Sequence, residues 1–354
     1  MNQLPETPRS ICLLRLSAIG DTCHVVPLIR SLQQAWPEAR ITWVIGRIEA
    51  RLMSLLPEIE FITVDKRSLW RSGRSLQAAI AGRHFDLLLH LQTSLRASLH
   101  SLLIPATIRL GFDRARAREL QWLFTNRRIA PRSRQHSLDA CLGFATALGI
   151  DPPRIAWDIP IPVAARDWAA EQIPDGARAL IVSPCSSHRL RNWRVERYAA
   201  VVAHAVSEHG MRVILCGAPT DYEREFGAAI AREAGVPVLN LVGRDTLPQL
   251  LALLARATVL LTPDSGPAHM ATMVGTPVIG LYAATRVQRT GPYFSRQWCV
   301  DRYEEAALRY RGRPGSALKW TEYVEEPGVM DLIEVADVTA RLDALLREAP
   351  APAC

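Results

Sequence analysis

Residues 13–32 read LLRLSAIGDTCHVVPLIRSL. An apolar run ends at Leu16, a turn follows through Ser17, Ala18, Ile19, Gly20 and Asp21, and apolar residues then recur three and four apart. That succession of strand, turn and helix is the opening unit of an open sheet wound with helices. Asp21 stands at the mouth of this unit, where folds that bind phosphate usually keep negative charge away. A carboxylate there calls for another task.

The same rhythm runs outward from this stretch. ICLLRL (11–16), ITWVI (41–45), FITV (61–64), DLLLHL (86–91) and TIRL (107–110) read as strands, with VVPLIRSLQQAW and LWRSGRSLQAAIAG as helices between them. Residues 150–178 then bring Pro152, Pro153, Pro160, Pro162 and Pro174, a density that marks a junction. After it the pattern restarts with ALIVSP (179–184), a helix over 196–209, RVILCG (212–217), PVLNLV (237–242), TVLLT (258–262) and PVIGLY (277–282). Near-continuous apolar strands are buried on both faces, which points to parallel sheets covered by helices. The expectation is an α/β chain of two doubly wound domains facing a cleft: 1–165, 166–330, and a last helix within 331–354 that packs back on the first domain.

With 354 residues, 49% of them hydrophobic, the chain has ample material for two packed cores. Its net charge of +7 is uneven. Residues 1–150 hold 20 Lys and Arg against 11 Asp and Glu, whereas the remainder holds 22 against 24. Arg109 to Arg134 alone carries eight Arg beside Asp113 and Glu119. Such a face suits an anionic partner, although solvated charge on an Arg-rich chain gives the same count. The seven cysteines show no C-x-x-C and no metal-ligand spacing, and several sit inside apolar runs, as free thiols do in a reducing compartment. The first ten residues lack the charged start and apolar core of a signal peptide. A soluble, cytoplasmic protein is expected, one whose basic face can visit an anionic membrane surface.

Three strand-end loops of the second half carry candidate chemistry. In TPDSGPAH, Thr262 to His269, a strand gives way to a helix whose free N–H groups make an anion site, unless Asp264 or Ser265 merely caps it. In SPCSSHRLRNW, Ser186 and Ser187 precede Arg189 and Arg191, hydroxyls beside a forked guanidinium that suit a diphosphate. In CGAPTDYERE, Asp221 opens a helix where a carboxylate can hold ribose hydroxyls or complement the helix dipole.

On SAIGDTCHVVPLIRSL and TPDSGPAHMATMVGTPVIGLY the chain resembles the ADP-heptose:lipopolysaccharide heptosyltransferases of glycosyltransferase family nine, over about residues 11–285. The resemblance implies a GT-B arrangement, an N-terminal acceptor domain and a C-terminal sugar-nucleotide domain. It also implies inverting transfer of heptose from ADP-heptose to the Kdo and heptose inner core of lipopolysaccharide, with no tightly held metal or cofactor and a divalent ion only as an optional helper. No Asp-x-Asp occurs in the chain. By matching, Asp21 falls on the catalytic aspartate that takes the acceptor proton. Arg191 falls on the basic residue that meets the departing diphosphate, with Ser186, Ser187, Ser265 and Gly266 beside it. Asp264 and His269 fall in the donor motif and Asp221 at the ribose; the adenine is expected near Val242 to Leu247. The acceptor's Kdo carboxylates and lipid A phosphates give the basic first half a reason, with Arg67, Arg71, Arg114 and Arg116 as candidates. The inner membrane surface is then a peripheral partner, and nucleic acid is not.

Two departures stand out. The last donor strand runs into Ala283-Ala284-Thr285 where many relatives have Gly-Pro-Thr, and residues 296–328 match no pattern. The scattered cysteines argue against the branch of the family that heptosylates proteins using a cysteine-bound metal. Two rivals remain at this level: a GT-B transferase of another sugar or acceptor, and a nonenzymatic protein that docks a polyanion through residues 109–134, where only Phe112, Trp122 and Phe124 interleave the charge.

Overall fold

Strands β1 (Ser10–Leu14), β2 (Arg40–Gly46), β3 (Ile59–Val64), β4 (Phe85–His90), β5 (Ala106–Gly111) and β6 (Arg127–Arg128) form one parallel sheet in the order β3-β2-β1-β4-β5-β6. The apolar runs explain it. Ile11 to Leu14 are wholly buried, with Ile11 opposite Leu87 and Leu13 opposite Leu89, so the central strands have no face for water. The computed structural model describes residues 7–65 and 69–348, apart from the side chains of Leu69 and Arg71.

Strands β7 (Ala179–Val182), β8 (Arg212–Leu215), β9 (Val238–Asn240), β10 (Val259–Pro263), β11 (Val278–Tyr282) and β12 (Val300–Asp301) repeat the arrangement in the order β12-β11-β10-β7-β8-β9. Counted from the first strand of each sheet, both orders are 3-2-1-4-5-6, the Rossmann winding. The order reverses between β1 and β4 and again between β7 and β10, and ligands of such sheets bind in the crevice beyond the carboxyl ends of those strands. The expected α/β class with two Rossmann-like domains is therefore what the chain has.

The chain divides into Met1–Pro160 and Ile161–Cys354, five residues earlier than the proline count suggested. The helix Val163–Gln172 accounts for the shift, because it packs on the helix Leu247–Arg256 of the second unit. The last helix, Val335–Glu348, corrects a second expectation. Its Val338, Leu342, Leu345 and Leu346 are part of the second unit's own core, packed with Val202 and Ala205 of the helix Val195–His209. Asp343 reinforces that seam, its Oδ1 accepting from His204 Nε2 and His209 Nε2, each at 2.7 Å.

The helix after β1, Ile19–Ala35, contains Pro27. Proline has no N–H, so the carbonyl of Cys23 one turn earlier loses its helical partner. The indole of Trp157 supplies the replacement, donating Nε1–H to Cys23 O at 2.9 Å. Ser31 holds the same segment through Arg154, whose N–H donates to Ser31 Oγ at 2.8 Å. Among the described residues no helix is long and apolar enough to cross a membrane, and the six described cysteines are buried and unbridged.

Candidate functional site

The second unit gathers its polar groups beyond β7 and β10. The buried Thr262 hydroxyl, near the end of β10, donates to Ser183 O at 2.9 Å and lies 2.7 Å from Ser265 Oγ, tying the two strand ends together. Ser265 precedes the helix Gly266–Met273 in an extended conformation, and its side chain makes no capping hydrogen bond to that helix. The capping alternative for Asp264 and Ser265 is thus set aside, and the first N–H groups, Pro267 having none, remain available to an anion. His269 is buried on the first turn of this helix.

Asp264 instead faces Arg191. Its Oδ2 accepts from Arg191 Nη1 and from Thr290 Oγ1, both at 3.2 Å. The other side of the guanidinium meets a residue that the sequence reading missed: Arg191 Nε donates to Glu325 Oε1 at 2.7 Å. Tyr323 lies under the guanidinium at 4.7 Å from ring centre, and Arg289 donates to the Tyr323 hydroxyl at 2.9 Å. The unmatched segment 296–328 therefore supplies an aromatic floor and a second carboxylate to Arg191. Only a three-dimensional contact across 134 residues brings Glu325 there, and no local pattern announces it.

The serine loop is built rather than loose. Ser186 N–H donates to Asn192 Oδ1 at 2.7 Å, and Asn192 Nδ2 in turn donates to Tyr222 OH at 3.2 Å. Ser186 is buried whereas Ser187 is exposed. Asp221 does not join the others: its side chain is 95% exposed and, among the described residues, meets only Arg224, at 3.4 Å. Two residues on, Glu223 turns inward, its Oε2 accepting Ala218 N–H at 2.7 Å and lying 2.7 Å from where a Cβ on Gly217 would stand. Burial raises the Glu223 carboxyl above its ordinary range, with that N–H acting against the rise. Thr220 takes the capping role at this helix, accepting Glu223 N–H. The neighbouring loop approaches closely at Gly243, where φ is +70° and a Cβ would lie 2.8 Å from Pro219 Cα. Asp245, in the loop expected to border the adenine, is pushed up to about 6 by burial.

In the first unit, Asp21 sits on the first turn of the helix after β1, beside the reversal between β1 and β4. Its Oδ2 pairs with Arg15 and accepts Ala18 N–H at 3.3 Å. Arg15 is itself clamped, donating Nε–H to Ser17 O at 2.8 Å and Nη1–H to Leu91 O, beyond β4, at 2.6 Å. Gln92 closes the corner by accepting Leu16 N–H at 2.7 Å. The Asp21 side chain remains 44% exposed, and its Oδ1 takes no hydrogen bond among the described residues. That leaves an oriented carboxylate with one open oxygen.

The four arginines expected at the acceptor separate. Arg67 lies outside the described residues, and so does the side chain of Arg71. Arg116 is structural: it pairs with the buried Asp113 and donates to Gln135 Oε1 and, at 2.7 Å, to Ala130 O. Arg114 stays on the surface over the Trp122 ring at 4.7 Å.

Comparison with known proteins agrees with this geometry. The sequence model of glycosyltransferase family 9 (heptosyltransferase) matches residues 73–320. The lipopolysaccharide core heptosyltransferase OpsX of Haemophilus influenzae is 38% identical over 96% of this chain and 98% of its own length. A family 9 glycosyltransferase from Veillonella parvula has the same fold, with a TM-score of 0.79 at 22% identity, covering 97% of this chain and 99% of that one. The Escherichia coli heptosyltransferase WaaC, solved with ADP, gives 0.75 at 19% identity over 95% and 99%. The expected GT-B class is borne out, and the nonenzymatic polyanion reading falls away, because a match of this extent takes in strands of both sheets. The chain belongs to glycosyltransferase family 9, the heptosyltransferases.

Proposed function

We propose that this enzyme moves heptose from ADP-heptose to the inner core of lipopolysaccharide by a single inverting displacement, with Asp21 as general base. The observation that carries the reading is the turn after β10. There Arg191, Asp264 and an uncapped helix start converge at a sheet reversal, in a chain 38% identical to a lipopolysaccharide core heptosyltransferase. The E. coli heptosyltransferase of the same fold was solved with ADP, which supports a nucleoside diphosphate as a ligand of this fold.

In the proposed step the acceptor hydroxyl gives its proton to Asp21 Oδ1 as its oxygen bonds to the anomeric carbon. The bond from that carbon to the diphosphate oxygen breaks, and ADP leaves with the electron pair. Arg191 and the N–H groups of Ser265, Gly266 and Ala268 meet the growing charge. Arg15 aims the base through Oδ2, so that Oδ1 faces the incoming hydroxyl. Ser186 and His269 border the donor, and Glu223, more buried than Asp221, takes the ribose hydroxyls. A divalent ion beside the diphosphate is an accessory, not a requirement. The acceptor is a Kdo-bearing lipid A, so the enzyme works at the cytoplasmic face of the inner membrane.

The test is mass-spectrometric detection of heptose added to Kdo-bearing lipid A from ADP-heptose, with native protein and Asp21→Asn. Transfer by the native protein, lost in a folded variant that still binds ADP, is the expected result. Unchanged transfer by the variant would remove Asp21 from the mechanism, transfer from a different nucleotide sugar alone would reassign the donor, and absence of ADP binding would overturn the donor site.

A further inference from the structure

Six of the chain's exposed large apolar side chains collect in one region of the first unit. Leu95, Leu99 and Leu102 lie at intervals of four and three residues, so they share one side of the helix Leu95–Ser101 and its last turn. Leu120 precedes and Leu123 ends the turn Gln121–Leu123, and both are more than half exposed. Trp70 is 82% exposed on the helix Leu69–Ala79.

The three pieces are neighbours. Leu95 N–H donates to Glu119 Oε2 at 2.6 Å, and Arg109 ties both ends of the seam by donating to Ser101 O at 2.6 Å and Phe124 O at 3.0 Å. Leu103 approaches Gly73, one turn beyond Trp70. A single apolar side chain at a surface is ordinary, but a contiguous set of this kind marks an interaction site.

Its rim is cationic. Arg74 and Arg118 are exposed, and Arg114 lies over Trp122 between the two leucines of the turn. Of the acids nearby, Asp113 is buried and paired with Arg116, while Glu119 is exposed and accepts the Leu95 N–H. Apolar tips beside the guanidinium groups of Arg74, Arg114 and Arg118, which outnumber the exposed Glu119 carboxylate, fit an anionic phospholipid surface, where apolar tips enter the acyl boundary and basic groups meet the headgroups.

We infer that the surface formed by Trp70, Leu95, Leu99, Leu102, Leu120 and Leu123, with its arginine rim, docks this enzyme onto an anionic bilayer. It gives a physical form to the membrane side of the proposed function. It does not depend on the acceptor, since the surface needs only lipid.

The experiment is co-sedimentation of the full chain with phosphatidylcholine vesicles that contain either no anionic lipid or about one third phosphatidylglycerol, without acceptor. Binding to the anionic vesicles that weakens strongly at high salt is expected. Leu95→Ser with Leu99→Ser and Leu102→Ser should lower partitioning about tenfold or more, since three exposed side chains lose their apolar area. Arg74→Gln with Arg118→Gln should lower it on anionic vesicles only. Circular dichroism and ADP binding report that each variant is folded. Equal binding to both vesicle types, or anionic binding that survives the leucine substitutions, overturns the inference. So does a concentration-dependent dimer that the leucine substitutions dissolve, with no vesicle binding, because the surface then belongs to a second copy of the chain. Failure of heptose transfer with vesicle binding intact would count against the reaction alone.

Discussion

Replacing Glu325 by Gln should tighten ADP binding. In the structure Arg191 already faces two carboxylates, Asp264 at 3.2 Å and Glu325 at 2.7 Å. A diphosphate at this turn either displaces Glu325 from the guanidinium or lies beside it, and the carboxylate opposes the ligand in both cases. Two unit charges about 4 Å apart at an effective dielectric near 20 interact by about 4 kcal/mol. Both side chains keep some solvent access, 15% for Arg191 and 20% for Glu325. Gln also retains a hydrogen-bond acceptor for Nε–H, so the net gain falls to about 1–2 kcal/mol. That is a factor of about 5–30 in affinity. Isothermal titration of ADP into native and Glu325→Gln protein measures it, with a salt series to show that the difference is electrostatic. Unchanged or weaker binding in a folded variant would refute the reasoning and make Glu325 a support that Arg191 needs.

Other substitutions separate structure from chemistry. Arg116→Gln should destabilise the chain by about 3 kcal/mol, because it strands the buried Asp113 carboxylate, while ADP affinity stays the same; undiminished stability in denaturant would return Arg116 to the surface candidates. Trp157→Phe removes the donor to Cys23 O and should cost about 1–3 kcal/mol by urea unfolding, and no change would mean that water takes the carbonyl without penalty. Asp245 is raised in the folded state to about 6 from an ordinary 3.8. The folded protein thus binds more protons than the unfolded chain between those values, and stability falls as pH rises through that window. Asp245→Asn should recover about 1–3 kcal/mol at pH 7 and flatten the loss between pH 4 and 6; an unchanged pH profile of thermal unfolding would contradict the burial argument.

What could be read in the chain was whatever depends on neighbours in sequence. Continuous apolar runs such as ICLLRL and TVLLT fit strands buried on both faces, and those strands stand within about two residues of where the pattern put them, whereas the first helix begins at Ile19, ahead of the VVPLIRSLQQAW run. The turn after β10 was legible because glycine, proline and a helix start lie within a few residues of a strand end. Arg191 was legible too, but its surroundings were not: Tyr323 and Glu325 reach it from a segment with no periodicity. The helix after Thr220 shows a finer limit. Asp221 and Glu223 are both acids of a first turn, and only the course of the backbone decides that Glu223 turns in while Asp221 points to water. Charge counts behaved likewise, since the sequence numbers the arginines but does not say that Arg116 is consumed by Asp113 and Arg114 is not.

Pro27 has a consequence for where this chain can be cut. The helix that carries Asp21 lacks one rung, and the missing donor arrives with Trp157, 134 residues later. A fragment ending at residue 150, where the proline-rich stretch begins, would leave the Cys23 carbonyl bare inside the helix. One extending to Pro160 would close it. The apparent linker is thus the last structural piece of the first unit, and an isolated first unit made for binding studies has to keep it.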